Sequence, residues 1–149
     1  MTTGIEWLEQ GGIMQLKEIM THKVEVISPD ASLQEAAQRM RASNIGALPV
    51  CDGNRIVGIL TERDLIARGI AEGRDPKTIR VHEVMTPELI VCFEDQESAQ
   101  ALRLMQERQI RHLAVLSRDH RLVGIISLRD VAEPGQEGGL AGGAIRWPI

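Results

Sequence analysis

Two short stretches carry the residue types that could do chemistry. Thr61-Glu62-Arg63-Asp64 and Ser127-Leu128-Arg129-Asp130 each place a hydroxyl three residues ahead of a carboxylate, with an arginine just before the acid. A hydroxyl at a helix start sits among unpaired backbone N–H groups and the positive end of the helix dipole, which suits an anion such as phosphate. The carboxylate can accept two hydrogen bonds from a ribose diol, and Arg63 or Arg129 can offset phosphate charge. The same spacing is also a capping box, in which hydroxyl and acid simply close the start of their own helix. Both readings stand on these residues alone.

The surrounding elements must present those groups. Each motif follows an apolar, β-branched run, Ile56-Val57-Gly58-Ile59-Leu60 and Leu122-Val123-Gly124-Ile125-Ile126, that reads as a buried strand entering a helix. The order of residues is kept in both places, so the chain is internally duplicated. Ile19-Met20-Thr21 has its counterpart in Val84-Met85-Thr86, and Ile45-Gly46-Ala47-Leu48-Pro49-Val50 in Ile110-Arg111-His112-Leu113-Ala114-Val115.

Within repeat one, a strand is expected near Val24 to Ile27, closed by Ser28-Pro29-Asp30. Ser32 with Glu35 marks a helix start, and Leu33, Ala36, Ala37 and Met40 recur at helical spacing to about Ser43. The turn Cys51-Asp52-Gly53-Asn54 joins two strands, and a short helix is expected from Asp64 to Ala71. The resulting order is β-α-β-β-α, repeated. Ala101, Leu102 and Met105 stand where Ala36, Ala37 and Met40 stood, and Ala114 replaces Pro49. The expected boundaries are an extension at 1–13, repeat one at 14–72, a linker at 73–79, repeat two at 80–132 and a flexible glycine-rich tail at 133–149, where Trp147 could dock.

Composition narrows the function. Of 149 residues 43% are hydrophobic and 26% charged, with a net charge of −4, which gives no blanket attraction to nucleic acid or anionic membrane. A half of roughly 60 residues buries too little surface to stand comfortably alone, so the halves are expected to pack together. Aromatic residues make up 2%, namely Trp7, Phe93 and Trp147, too few for base-stacking platforms. No run is long enough to span a bilayer and the first ten residues do not read as a signal peptide, so a cytoplasmic protein is expected. Cys51 and Cys92 are read as buried reduced thiols. His22, His82 and His120 have no metal-ligand spacing, and no nucleophile with its base or paired carboxylates is visible, so neither a metal site nor an enzyme is expected.

Taken together, the duplicated segments closely resemble the cystathionine β-synthase (CBS) domain family over about residues 14–132. The resemblance implies an α+β fold of two tandem CBS repeats with pseudo-twofold symmetry, a stand-alone regulatory pair. It implies clefts that bind adenosine nucleotides such as AMP, ADP or ATP, with no cofactor required. Asp64 and Asp130 would take the ribose hydroxyls and Thr61 and Ser127 the phosphate. In the family's clefts the segment before one hairpin faces the motif of the other repeat. Arg111 and His112 would then face Thr61 and Asp64, while Ile45, Gly46 and Ala47 would face Ser127 and Asp130; a charged phosphate is expected at Asp64. A homodimer regulating an unidentified protein is implied, the alternative being a ligand-independent assembly module.

Overall fold

A computed structural model describes residues 14–87 and 89–132. The extension at 1–13 and the glycine-rich tail with Trp147 lie outside the described residues. The chain forms two compact units, one of residues 14–24 and 90–132, the other of 25–89.

The unit of residues 25–89 is built around α2 (Leu33–Ser43), β1 (Ala47–Asp52) and β2 (Arg55–Thr61); α1 (Leu16–Ile19) belongs to the other unit. Ser32 caps α2 as its sequence indicated, its Oγ accepting from the Glu35 N–H at 3.1 Å. Asn44 ends the helix in the left-handed region at φ 53°, a conformation asparagine tolerates better than most residues. Leu33, Ala36 and Met40 point inward and join Leu48, Val50 and Leu60 in one apolar core.

Strands β1 and β2 form an antiparallel hairpin in which Asp52 faces Arg55, and Gly53 takes the positive φ of 63° that the two-residue turn requires. The strand expected near Val24 to Ile27 is reduced to one parallel bridge, Ile27 to Val50. Ser28-Pro29 follows at once and leaves no room to extend it. On the opposite edge Thr86 bridges Ile59, its N–H and C=O exchanging bonds of 2.9 and 3.1 Å with that residue.

The helix expected from Asp64 to Ala71 begins two residues earlier and is wound more loosely. It starts as α3 (Glu62–Asp64) and runs on as a π-helical turn, Leu65–Ile70, with the Ala71 N–H reaching back five residues to the Ile66 carbonyl at 2.8 Å. Gly69 is buried where this turn meets α2: a methyl group there would stand 2.6 Å from Leu33 Cδ2. After Asp75-Pro76, the single turn α4 (Val81–Val84) packs into the same core.

The other unit repeats the plan. Strands β3 (Val91–Phe93), β4 (His112–Leu116) and β5 (Leu122–Ser127) form one sheet, β3 parallel to β4 and β4 antiparallel to β5. Helix α5 (Ser98–Arg108) contributes Ala101 and Met105 to a core with Leu113, Val115 and Ile126, and Leu16 and Met20 close that core. Thr21 bridges Ile125 as Thr86 bridges Ile59. Each repeat's sheet is thus completed by the Met-Thr segment that leads into the other repeat. Cys92 is buried as expected, its thiol pushed up to about 11 by desolvation, whereas Cys51 is only half-buried; neither is in a disulfide. Among the described residues no helix is long and apolar enough to cross a membrane.

Candidate functional site

The strand-to-helix ends place their hydroxyl and acid in the same way. Thr61 leaves β2 in an extended conformation at φ −111° and caps α3. Its N–H donates to Asp64 Oδ2 at 3.0 Å, and its Oγ1 accepts from the Asp64 N–H at 3.2 Å. At the end of β5, the Ser127 N–H donates to Asp130 Oδ2 at 2.8 Å and its Oγ accepts from the Asp130 N–H at 3.1 Å, opening α6 (Leu128–Ala132). Both capping boxes are therefore formed. They use one N–H per carboxylate, whereas two ionised oxygens together can accept about four hydrogen bonds.

Within each unit the hairpin start lies beside the motif. Ala47 pairs with Thr61, and the Gly46 carbonyl accepts from the Glu62 N–H at 3.0 Å, so Ile45, Gly46 and Ala47 lead directly to the Asp64 end. In the other unit His112 pairs with Ser127, and the Arg111 carbonyl accepts from the Leu128 N–H at 2.7 Å. Arg63 is exposed on the first turn of α3; Arg129 holds the matching place on α6.

Two residues at the Asp64 end went unread in the sequence. The Thr86 hydroxyl donates to Asp64 at 3.3 Å (Oδ1) and 3.4 Å (Oδ2), and Arg68 Nε lies 4.0 Å from Oδ1. Arg68 also donates to the carbonyls of Met85 at 3.0 Å and Val84 at 3.4 Å, which ties the π-helical turn to α4. A sequence signal for this existed. Gly58 and Gly124 interrupt β-branched strands, and an isolated strand glycine marks a close backbone approach. A methyl group on Gly58 would sit 2.8 Å from the Thr86 carbonyl, and one on Gly124 3.0 Å from that of Thr21.

The electrostatics differ between the ends. Asp64 is only 8% exposed and accepts from the Thr61 N–H and the Thr86 hydroxyl, which leaves part of its acceptor capacity unused. Burial raises the Asp130 carboxyl above its ordinary value, while hydrogen bonds from Ser127 and the charge of Arg129 pull the other way. Burial, helped by the Arg111 charge, pushes the half-buried His112 imidazole down to about 4, so at neutral pH Arg111 supplies the positive charge of that pair and His112 none. Among the described residues no three His, Cys, Asp or Glu side chains group as metal ligands.

A separate apolar groove of about 380 Å³ lies between α2 and the π-helical turn, lined by Ala37, Met40, Leu65, Ile66 and Ile70 with Glu62 at its edge. Ile66 and Ile70 are 55% and 70% exposed.

Such a fold, a duplicated α+β unit with one hydroxyl–acid motif per copy, defines a class of paired repeats. The CBS domain model matches residues 16–70 and again 81–134, and the chain belongs to the CBS-domain family. A CBS domain-containing protein of Bacillus subtilis, YhcV, is 38% identical over 130 residues, 87% of this chain and 91% of that protein. A CBS domain pair solved in complex with 5′-methylthioadenosine and S-adenosyl-L-methionine is 29% identical with a TM-score of 0.71, covering 80% of this chain and 93% of that one. A hexameric CBS-CP12 protein from bloom-forming cyanobacteria is 33% identical with a TM-score of 0.71, covering 79% of this chain and 70% of that one.

Proposed function

We propose that this chain is a cytoplasmic, non-catalytic regulatory module that binds an adenosine-containing small molecule of the AMP, ADP or ATP type. Asp64 and Asp130 accept the ribose hydroxyls, Thr61 and Ser127 lie toward the phosphate, Arg63, Arg129, Arg111 and His112 are the further side chains proposed for binding, and Ile45, Gly46 and Ala47 supply backbone. The observation that carries this reading is the duplicated motif: each capping box leaves its carboxylate able to accept further hydrogen bonds beside a hydroxyl and an arginine. The complex of the related pair with two adenosine compounds supports it. Binding regulates a partner protein only if it favours one packing of the module over another.

A thermal-shift panel of AMP, ADP, ATP, NAD, S-adenosylmethionine and 5′-methylthioadenosine tests the reading. At a hundredfold excess over Kd a ligand stabilises by about 2.7 kcal/mol, which raises Tm by about 5 °C or more for a chain of this size. The rise is expected to shrink in Asp64→Ala or Asp130→Ala. No rise with any of the six compounds would remove the reading.

The second reading, a ligand-independent assembly module, is favoured by the exposed Ile66 and Ile70 beside the apolar groove. A second copy of this chain is the occupant we propose there, giving a homodimer, and the hexameric relative supports self-association. Light scattering of Ile66→Asp/Ile70→Asp is expected to give the monomer mass where the wild type gives the dimer. A wild type that stays monomeric at all concentrations defeats the assembly reading and leaves ligand binding untouched.

A further inference from the structure

The two motif ends share a backbone and differ in charge, a difference that bears on ligand choice and rests, for its meaning, on the adenosine-binding reading. In both units the amide after the hydroxyl residue donates to the hairpin-start carbonyl, Glu62 to Gly46 at 3.0 Å and Leu128 to Arg111 at 2.7 Å. The same bond therefore sets side chain 62 beside position 46 and side chain 128 beside position 111. A methyl carbon built on Gly46 would lie 3.3 Å from Glu62 Cδ and 3.4 and 3.5 Å from its two oxygens, so the Glu62 carboxylate lies over the bare glycine. In the other unit an arginine replaces the glycine and a leucine replaces the acid.

The consequence is a local charge that is more positive at the Asp130 end than at the Asp64 end. The Asp64 end presents two carboxylates, Glu62 and Asp64, to anything seated at Thr61. Arg63 stands near them, while Arg68 is already engaged with Asp64 and the Val84 and Met85 carbonyls. The Asp130 end presents one carboxylate, with the charge of Arg129 felt at Asp130 and that of Arg111 felt at His112. Sugar recognition by hydroxyl and acid is common to both ends, so the 5′ substituent is where they part.

We infer that the pairs Gly46/Glu62 and Arg111/Leu128 are specificity-determining. The Asp130 end takes a 5′-phosphorylated adenosine, and the Asp64 end takes one whose 5′ substituent is uncharged or cationic. The resemblance assigned Arg111 and His112, and with them the phosphate, to Asp64; the charges of each unit taken by itself point to the other acid. A carboxylate within several ångströms of a phosphate in a partly desolvated site lowers affinity by about tenfold or more, and an arginine there raises it by a similar factor.

AMP and 5′-methylthioadenosine form a matched pair, one carrying a phosphate where the other carries a neutral thiomethyl group. Calorimetric titration of both into the intact chain separates the outcomes. AMP binding is expected to vanish in Asp130→Ala and persist in Asp64→Ala, with the reverse for 5′-methylthioadenosine. Arg111→Gly is expected to weaken AMP by about tenfold and leave 5′-methylthioadenosine unchanged, and Glu62→Leu to create or tighten AMP binding at the Asp64 end by a similar factor. Asp130→Asn and Asp64→Asn, which keep the shape of the acid, replace any alanine variant that does not fold. AMP lost in the Asp64 variants and kept in the Asp130 variants overturns the inference while leaving adenosine binding in place. Arg111→Gly weakening both compounds equally does the same, and wild type binding neither compound overturns the inference, while the adenosine-binding reading falls only if the other four compounds of the panel also fail to bind.

Discussion

Asp64 and Asp130 are the same residue of two repeats, yet they are held differently. Asp64 accepts the Thr61 N–H and the Thr86 hydroxyl and has Arg68 4.0 Å away. Asp130 shares the first of these arrangements through Ser127, and burial lifts its carboxyl toward the neutral form. Where repeat one has Arg68 the duplicated chain has Pro134, which offers no guanidinium. What the two ends share is backbone: the capping box, the bond between motif and hairpin start, and a strand glycine crossed by a Met-Thr segment. What they do not share is side-chain charge. The duplication thus fixes where a ligand's polar groups would be met and leaves the sign of the field there to individual residues.

The shared backbone is the place to break the comparison hardest. Alanine at Gly58 would bring Cβ to 2.8 Å from the Thr86 carbonyl, too close to keep, and that carbonyl belongs to the two-bond bridge with Ile59. Gly58→Ala is expected to cost about 2–3 kcal/mol by urea unfolding. For Gly124→Ala the backbone contact is 3.0 Å to Thr21, and the nearer atoms belong to the flexible Met20 side chain, so a smaller loss of about 1–2 kcal/mol is expected. A Gly58→Ala variant as stable as the wild type would mean that the Met-Thr segment does not hold that edge.

The same feature shows how far the sequence could be read. Duplication, the Ser32–Glu35 helix start, the Gly53 turn and both hydroxyl–acid motifs are local signals, and the fold carries them as expected. The destination of Ile19-Met20-Thr21 and Val84-Met85-Thr86 is a long-range choice that no periodicity encodes. Gly58 and Gly124 hinted at a crossing backbone without naming it. The strand near Val24 shrank to one bridge because pairing there depends on a neighbour, not on β-propensity. The π-helical turn, and through it Arg68's reach to the Asp64 carboxylate, has no reliable sequence signature, and the charge over Gly46 becomes visible only once Glu62 is seen to share its hydrogen bond.

The hairpin starts sharpen the comparison through pH. Ala47 cannot titrate, whereas His112 has its imidazole pushed to about 4 from an ordinary 6.5. Because the folded form binds a proton less readily than the unfolded form, the unfolded state takes up more protons between these values. Stability from this group is complete above pH 6.5 and is lost as pH falls through about 4, by up to about 3 kcal/mol. Asp130 acts in the opposite sense, its raised carboxyl favouring the folded protonated form below its folded value. Urea midpoints measured from pH 7 to 5 are expected to fall, and His112→Gln to flatten the fall. A His112→Gln variant with the wild-type slope would place the sensitivity elsewhere.

The smallest expected effect is the most direct comparison of the acids themselves. Asparagine at 130 keeps an oxygen for the Ser127 N–H and removes a charge that burial already disfavours, so Asp130→Asn is expected to change stability by less than about 0.5 kcal/mol at pH 7. Asparagine at 64 must turn an NH₂ toward either the Thr61 N–H or the Thr86 hydroxyl, and it strips Arg68 of its nearby anion. Asp64→Asn is therefore expected to cost about 1–2 kcal/mol. The order of the two losses matters more than either size. If Asp130→Asn proves the costlier substitution, the acid at the second end is held by something stronger than its capping box, and the distinction drawn between the repeats fails at its centre.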